Sequence, residues 1–411
     1  MNSSISIQQC QSCGSNELAS ALFLGFLPPV NTMQKIGERP REEAAYPTEL
    51  LYCSRCDLVQ LGCMVDQRVL FPPEYPYTSG TTKLLHDNFE RLAAELDDFV
   101  PPDRRRLIVD IGSNDGTLLA KHQARGWRVL GVEPTDVADI ANARDIPTEK
   151  GFFAEAVVRR LVEREGKANV VTATNCFAHM PDIHNVIGAI LSILTEDGLF
   201  ISESHYLVSL IDELQFDTIY HEHLRYYSVT SLTKLLAPHG LEVIHVSRIP
   251  THGGSIRVYA ARQGRHVVRP SVQEVLEAER RRGSWRAQLT QLRHRTIEAK
   301  LRMQRLIAEI KGAHRRIVAV GAPSRGSTLI GYLGLDDGII DAVAEVKGSR
   351  KIGFYLPGTL IPVREEKTVL AEHPSVALLL SWHIADELMP KLRAQGFDGQ
   401  FLVPLPEPRL V

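Results

Sequence analysis

From residue 107 onward, short apolar runs alternate with stretches whose apolar residues recur every three or four positions. LIVDIG (107–112), RVLGVEP (128–134), NVVTATN (169–175) and GLFISESH (198–205) read as strands. The stretches 117–125, 136–144, 154–165 and 184–194 read as helices between them. Short apolar strands alternating with helices imply a parallel sheet covered on both faces. The pattern then changes. LEVIHVSR (241–248) and SIRVYAAR (255–262) are separated by IPTHGG, too short for a helical crossover, so an antiparallel hairpin is expected. A long helical region over 271–312 precedes a second alternating unit, with strands RIVAVGA (316–322), IIDAVAEV (339–346), VALLLSW (376–382) and FLVPLP near the end. Upstream lie a cysteine-bearing segment, a connector LFPPEYPYTSGTT (70–82) and an amphipathic helix over 83–99, closed by PPDRRR (101–106).

At 411 residues the chain exceeds one ordinary core, and three units are expected: 1–70, 71–270 and 271–411. A doubly wound α/β sheet finished by a reversed strand is the outline of a class I methyltransferase; a dehydrogenase sheet normally stays parallel. The last unit reads as a second, Rossmann-like α/β domain.

Composition adds exclusions. The chain is 44% hydrophobic and 23% charged with net charge −2, which gives no global pull toward nucleic acid or membrane. Its longest apolar run, LASALFLGFLPPV (18–30), is too short to span a bilayer. The first nine residues are polar without a secretory pattern, so a cytoplasmic location is expected. Six cysteines in a reducing compartment argue against a disulfide framework. Four of them form two C-x2-C pairs, Cys10/Cys13 and Cys53/Cys56. Two such knuckles complete a tetrahedral Zn²⁺ shell with no open position, so a structural zinc is expected.

DIGSNDG (110–116) sits where the first strand turns into a helix. Glycines there admit a ligand close to the backbone, and the helix start offers free N–H groups. Glu133, at the end of the second strand, is placed to accept hydrogen bonds from the ribose hydroxyls of a nucleoside. Asn114 stands where a dinucleotide-binding loop needs its second glycine. Asn114 and Asp115 suit the ammonium and carboxylate of a methionine moiety rather than a diphosphate. Asp110, Gly112, Asn114, Asp115, Glu133 and Asn175 are therefore the expected S-adenosylmethionine site, and Tyr75, Tyr77 and Ser79 either close over it or simply pack the connector.

Ligands of doubly wound sheets bind at the carboxyl ends of the strands. NCFAHMP (175–181), FDTIYHEHLRYYS (216–228) and THGGS (251–255) all fall on that edge. The middle segment packs two histidines, two acids and four aromatics into thirteen residues. A His-x-His metal site at His221/His223 has only Asp217 as a candidate third ligand, so acid/base chemistry fits better, with His223, His221 and His179 as candidate bases.

These strings resemble the S-adenosylmethionine-dependent sugar C-methyltransferases, which act on nucleotide-linked 4-keto-deoxysugars. The resemblance covers nearly the whole chain and is most specific in FDTIYHEH and THGGS. It implies that His223 is the general base and that Tyr220, Glu222 and His179 line the same pocket. It also implies that a single chain, a monomer, suffices. His221, His252 and Ser255 are expected near the sugar. Ser324 and Arg325 of GAPSRG (321–326), with Lys351 beside them, either hold the diphosphate on a helix start or belong to a decayed nucleotide fold that serves only as a packing lid. Glu345 stands where relatives carry aspartate.

A nucleic-acid methyltransferase would also join a zinc module to this core, and the region 279–316 carries twelve Lys/Arg against three Glu. The slightly negative net charge and the lack of aromatic stacking platforms oppose it. A nicotinamide-dependent enzyme is opposed by the missing G-x-G-x-x-G. A non-catalytic cofactor- or sugar-nucleotide-binding protein would show tight binding without turnover.

Overall fold

The computed structural model describes residues 3–73, 75, 76, 78–81, 83–102 and 106–411. Its central sheet has seven strands in the order Leu241–Ile249, Ser255–Arg262, Leu194–His205, Ala168–Thr174, Leu107–Ile111, Arg128–Glu133, Thr148–Lys150. All run parallel except Ser255–Arg262, which is antiparallel to both its neighbours. This is the class I methyltransferase sheet with its reversed strand. Leu107–Ile111 is buried along its whole length, which is why it shows no polar alternation.

Two details depart from expectation. Thr148–Lys150 is a short polar edge strand, with no apolar run to announce it. The helical region expected as one piece is two helices, Pro270–Arg281 and Trp285–Gly312. Gly283, at φ +76°, breaks the first, and the Ser284 hydroxyl oxygen starts the second by accepting from the Ala287 N–H over 3.4 Å.

The N-terminal module is built on a four-stranded sheet, and one strand comes from elsewhere. Leu18–Leu27, Tyr46–Cys53 and Val59–Leu61 belong to the module, whereas the strand beyond Val59–Leu61 is Arg225–Tyr226. Arg225 pairs with Gln60 and Tyr226 with Val59, and the Leu61 N–H donates to the Leu224 carbonyl over 2.9 Å. A boundary near residue 70 therefore separates chain segments but not hydrogen-bonded layers.

The C-terminal sheet runs Val363–Glu365, Val343–Glu345, Ile317–Val320, Val376–Leu379, Gln400–Val403, all parallel, and ends on antiparallel Arg409–Leu410. Its order reverses on either side of Ile317–Val320, and the loop leaving that strand leads into helix Ser324–Leu333. Tyr332 of this helix packs edge-on against Phe216 of the core, ring centres 5.1 Å apart. Among the described residues no helix is long and apolar enough to cross a membrane.

Candidate active site and metal centre

The turn Phe216–Thr218 is followed by Tyr220, His221, Glu222 and His223 on the carboxyl side of the core sheet. His223 Nδ1 lies 2.8 Å from the Thr218 carbonyl oxygen. A carbonyl can only accept, so Nδ1 carries the hydrogen and Nε2 keeps its lone pair. Burial, partly offset by that bond, depresses the pKa of His223 to about 4, and the ring is neutral near pH 7.

Other rings close around it. Tyr220 lies 4.0 Å away by ring centres, His205 4.9 Å and His179, stacked, 5.0 Å. His252 stands 5.5 Å beyond His205. The pairing of His205 with Ser255 brings the hairpin loop to this edge. His252 is in the left-handed region at φ +55°, and Gly254 follows at φ +113°, where a Cβ would meet Ser209 Oγ at 2.5 Å. A small cavity of about 10 Å³, room for about one water, opens between His179, His205, His223 and Tyr226. On its wall Asn175 Oδ1 and Ser204 Oγ are buried with no hydrogen-bond partner among the described residues. Unpaired buried acceptors and donors are costly, and a water or a polar ligand atom in this cavity would meet them.

Glu222 faces another way. Its Oε1 accepts from Asn31 Nδ2 at 2.7 Å and its Oε2 from the Tyr75 hydroxyl at 3.1 Å. Ser324 Oγ in turn donates to Asn31 Oδ1 over 3.4 Å. This junction joins the N-terminal module, the connector, the core and the C-terminal unit. Burial raises Glu222 to about 7, against the pull of Asn31, Tyr75 and Lys351. Lys351 Nζ donates to the Ala322 carbonyl at 2.8 Å, and burial lowers its pKa. The Glu345 carboxylate accepts from the Ala322 N–H, so it braces the loop that precedes Ser324.

The expected cofactor residues gather at the ends of the first, second and fourth strands. Gly112 at φ +65° lies so close to Cys176 that a Cβ would be 3.0 Å from the Cys176 Cβ. Glu133 accepts from the Asn114 N–H at 3.1 Å and from the Thr135 hydroxyl at 2.7 Å. Asp110 accepts from the Thr172 hydroxyl at 2.7 Å, and burial lifts it to about 7. Asn114 and Asp115 hold the connector: their side-chain oxygens accept from the Ser79 and Gly80 N–H groups at 2.7 and 3.0 Å. Tyr77 lies outside the described residues.

Three expected substrate contacts have other partners. His221 packs edge-on against Tyr46, with Nε2 3.2 Å from Thr48 Oγ1, and so faces the N-terminal module. Ser255 donates its hydroxyl to the Thr251 carbonyl within its own turn at 3.0 Å. Arg325 forks onto Asp217 at 2.9 and 2.7 Å. Asn31, Tyr75, Ser204 and His205 were not anticipated for the roles they take here. His205 closes a strand that ends in ESH, a polar finish to an apolar run that could have flagged it.

The sulfurs of Cys10, Cys13, Cys53 and Cys56 all lie within 4.8 Å of one another, with Cys10 and Cys56 3.4 Å apart and Cys13 and Cys53 3.6 Å apart. None forms a disulfide. Four thiols converging at this spacing, from two knuckles, fit tetrahedral Zn²⁺ with every position filled by protein. The zinc is structural.

The comparisons agree with this layout. Residues 10–71 match a zinc binding domain, 84–246 a methyltransferase domain and 250–406 the C-methyltransferase C-terminal domain. C-methyltransferase NovU of Streptomyces niveus is 32% identical over 409 residues, 98% of this chain and 97% of NovU. Among solved structures, magnesium protoporphyrin IX methyltransferase (ChlM) from Synechocystis PCC 6803 with bound SAH is 13% identical. It covers 43% of this chain and 83% of its own, at TM-score 0.35. PH0226 protein from Pyrococcus horikoshii OT3 is 15% identical over 48% of this chain and 98% of its own, at TM-score 0.36. With all three domains matched in order and a relative aligned over nearly its full length, the chain belongs to the S-adenosylmethionine-dependent C-methyltransferase family typified by that three-domain arrangement.

Proposed function

We propose that this enzyme methylates C3 of a nucleotide-linked 4-keto-deoxysugar, with His223 as the base. The observation that carries the reading is the neutral His223, its Nδ1–H held by Thr218 and its Nε2 free, on the wall of a cavity at the carboxyl edge. A C–H beside a ketone is acidic enough for such a base. In this reading Nε2 takes the C3 proton and the electron pair moves onto the 4-keto oxygen. Tyr220 or His179 hydrogen-bonds the oxyanion as it forms. S-adenosylmethionine supplies an electrophilic methyl when bound, and Glu133, Asp110, Asn175 and the loop from Gly112 to Asp115 are the residues to hold it. The surrounding rings exclude water and present π-faces suited to a sulfonium.

Glu222 is less suited to be the base, because both its oxygens are already occupied by Asn31 and Tyr75. Ser324 and Lys351 sit beside that junction, at the carboxyl edge of the C-terminal sheet, where a nucleoside diphosphate would be met. Contributions from all three domains meet within one chain, which supports a monomeric enzyme.

The test is mass spectrometry of the enzyme in D₂O with a thymidine-diphosphate-linked 4-keto-6-deoxyhexose, with and without S-adenosylmethionine, beside His223→Gln. Methyl gain, with C3 deuteration that requires His223, is the expected result. Methyl transfer that survives in His223→Gln would move the base to another histidine. No methyl gain and no exchange would remove this substrate class.

A further inference from the structure

We infer that the C-terminal unit positions the base: Arg325 and Trp382 grip Asp217 and thereby hold the Thr218 carbonyl against His223 Nδ1. The inference rests on the reading of His223 as the base. Asp217 is fully buried and receives three donors, Arg325 Nε at 2.9 Å, Arg325 Nη2 at 2.7 Å and Trp382 Nε1 at 2.7 Å. The guanidinium carbon also sits 4.8 Å from the centre of the Trp382 ring. A forked, charge-assisted contact in a dry setting fixes orientation as well as distance.

Thr218 is the next residue in the same one-turn element, and its carbonyl is the one that receives the His223 Nδ1–H. The turn has a second tether on its other side. Thr218 Oγ1 donates to the Gln215 carbonyl at 2.8 Å, and Gln215 Nε2 donates to the Gly253 carbonyl beside His252. Fixing Asp217 therefore holds the turn, whose Ile219 N–H donates to the Phe216 carbonyl over 3.0 Å, and so steadies the Thr218–Ile219 peptide plane that carries the acceptor. If that plane turns away, Nδ1 loses its acceptor and the imidazole is free to place its hydrogen on Nε2, where a lone pair is needed. Arg325, expected on a diphosphate, is here a positioning residue that acts through Asp217 and Thr218.

A buried ion pair with one partner removed leaves an uncompensated charge, so single charge deletions threaten the fold. Two variants avoid this. Trp382→Phe keeps the ring over Arg325 and removes one donor; the double variant Asp217→Leu/Arg325→Met replaces the pair by apolar groups. Each is compared with wild type and His223→Gln by three measurements: ¹⁵N-histidine spectra for the tautomer of His223, C3 deuterium exchange of the same thymidine-diphosphate-linked ketosugar, and calorimetric binding of S-adenosylhomocysteine as the folding control.

The expected result is a partial loss of the Nδ1–H tautomer in Trp382→Phe and a larger loss in the double variant. Exchange in the double variant should slow by about 10²-fold, the scale of a catalytic group slightly misplaced, while cofactor-product binding is retained. A wild-type tautomer in both variants overturns the inference, whatever the exchange rate does. So does a shifted tautomer with wild-type exchange, provided His223→Gln has lost exchange. If His223→Gln exchanges like wild type, the base assignment fails, and the tautomer spectra still decide whether the C-terminal unit positions that ring.

Discussion

Asn31 Nδ2 donates to Glu222 Oε1 over 2.7 Å, across 191 positions of sequence. The bond favours the ionised carboxylate, whereas burial opposes it. Because the folded pKa of Glu222 is raised to about 7 from an ordinary 4.5, the fold is favoured by the protonated form, and that contribution is lost as pH rises from 4.5 through 7. Asn31→Ala should push the carboxyl higher still. Urea unfolding should then show a loss of about 1–3 kcal/mol, greater at pH 8 than at pH 6. An equal loss at both would mean the bond does not favour the charged state.

Glu222→Gln removes the titration itself. His223 stays neutral down to about pH 4, so it supplies no step in the methyl-transfer rate between pH 6 and 8. Any step near pH 7 that depends on Glu222 should flatten in the Gln variant. A wild-type profile in that variant would place the titrating group elsewhere.

Buried histidines act in the opposite sense. His221, His223 and His252 are each depressed to about 4 by burial, and His179 and His205 lie well below their ordinary value. The unfolded chain takes up these protons first, so the stability they contribute is present above pH 6.5 and lost as pH falls toward 4. They outnumber the two raised carboxyls, Asp110 and Glu222. Melting temperature should therefore fall between pH 6.5 and 4.5, with about 1.4 kcal/mol per pH unit for each unbalanced histidine. A flat profile would mean that water reaches these rings.

Cys53→Ser breaks the zinc shell. Metal content should drop from one equivalent, and the module should lose a large part of the roughly 10–16 kcal/mol that structural zinc confers. Because Val59–Leu61 pairs with Arg225–Tyr226, methyl transfer should be lost before binding of S-adenosylhomocysteine is. Full activity without metal would show that the cysteines do not need the ion.

Glu133→Gln keeps the shape of the second strand's end but weakens the acceptor. A charged hydrogen bond is worth about 1.5–3 kcal/mol, so the dissociation constant for S-adenosylmethionine should rise by about 10–100-fold. The rate at saturation should change little. Unchanged affinity would move the ribose contact to another residue.

Much of this was legible from local pattern. The six residues between two apolar strands could not carry a helix, and that alone reversed the last strand of the sheet. Two C-x2-C pairs announced a zinc shell because thiolate geometry is local. The polar junction was not legible in the same way. Nothing near Asn31 or Tyr75 marks either as a partner of Glu222, and nothing near Asp217 marks Arg325 or Trp382 as its partner. Such contacts are fixed by how the units dock, and their residue types are ordinary polar ones. Thr148–Lys150 was hidden for another reason: an edge strand needs no apolar run.

The two-residue strand Arg225–Tyr226 also constrains how such an enzyme can be recombined. It belongs by chain position to the catalytic segment and by pairing to the first module, so a crossover between two homologues near residue 70 would graft one parent's sheet onto the other parent's edge. Chimaeras that swap substrate scope should carry residues 3–70 and 216–228 as a single inherited block.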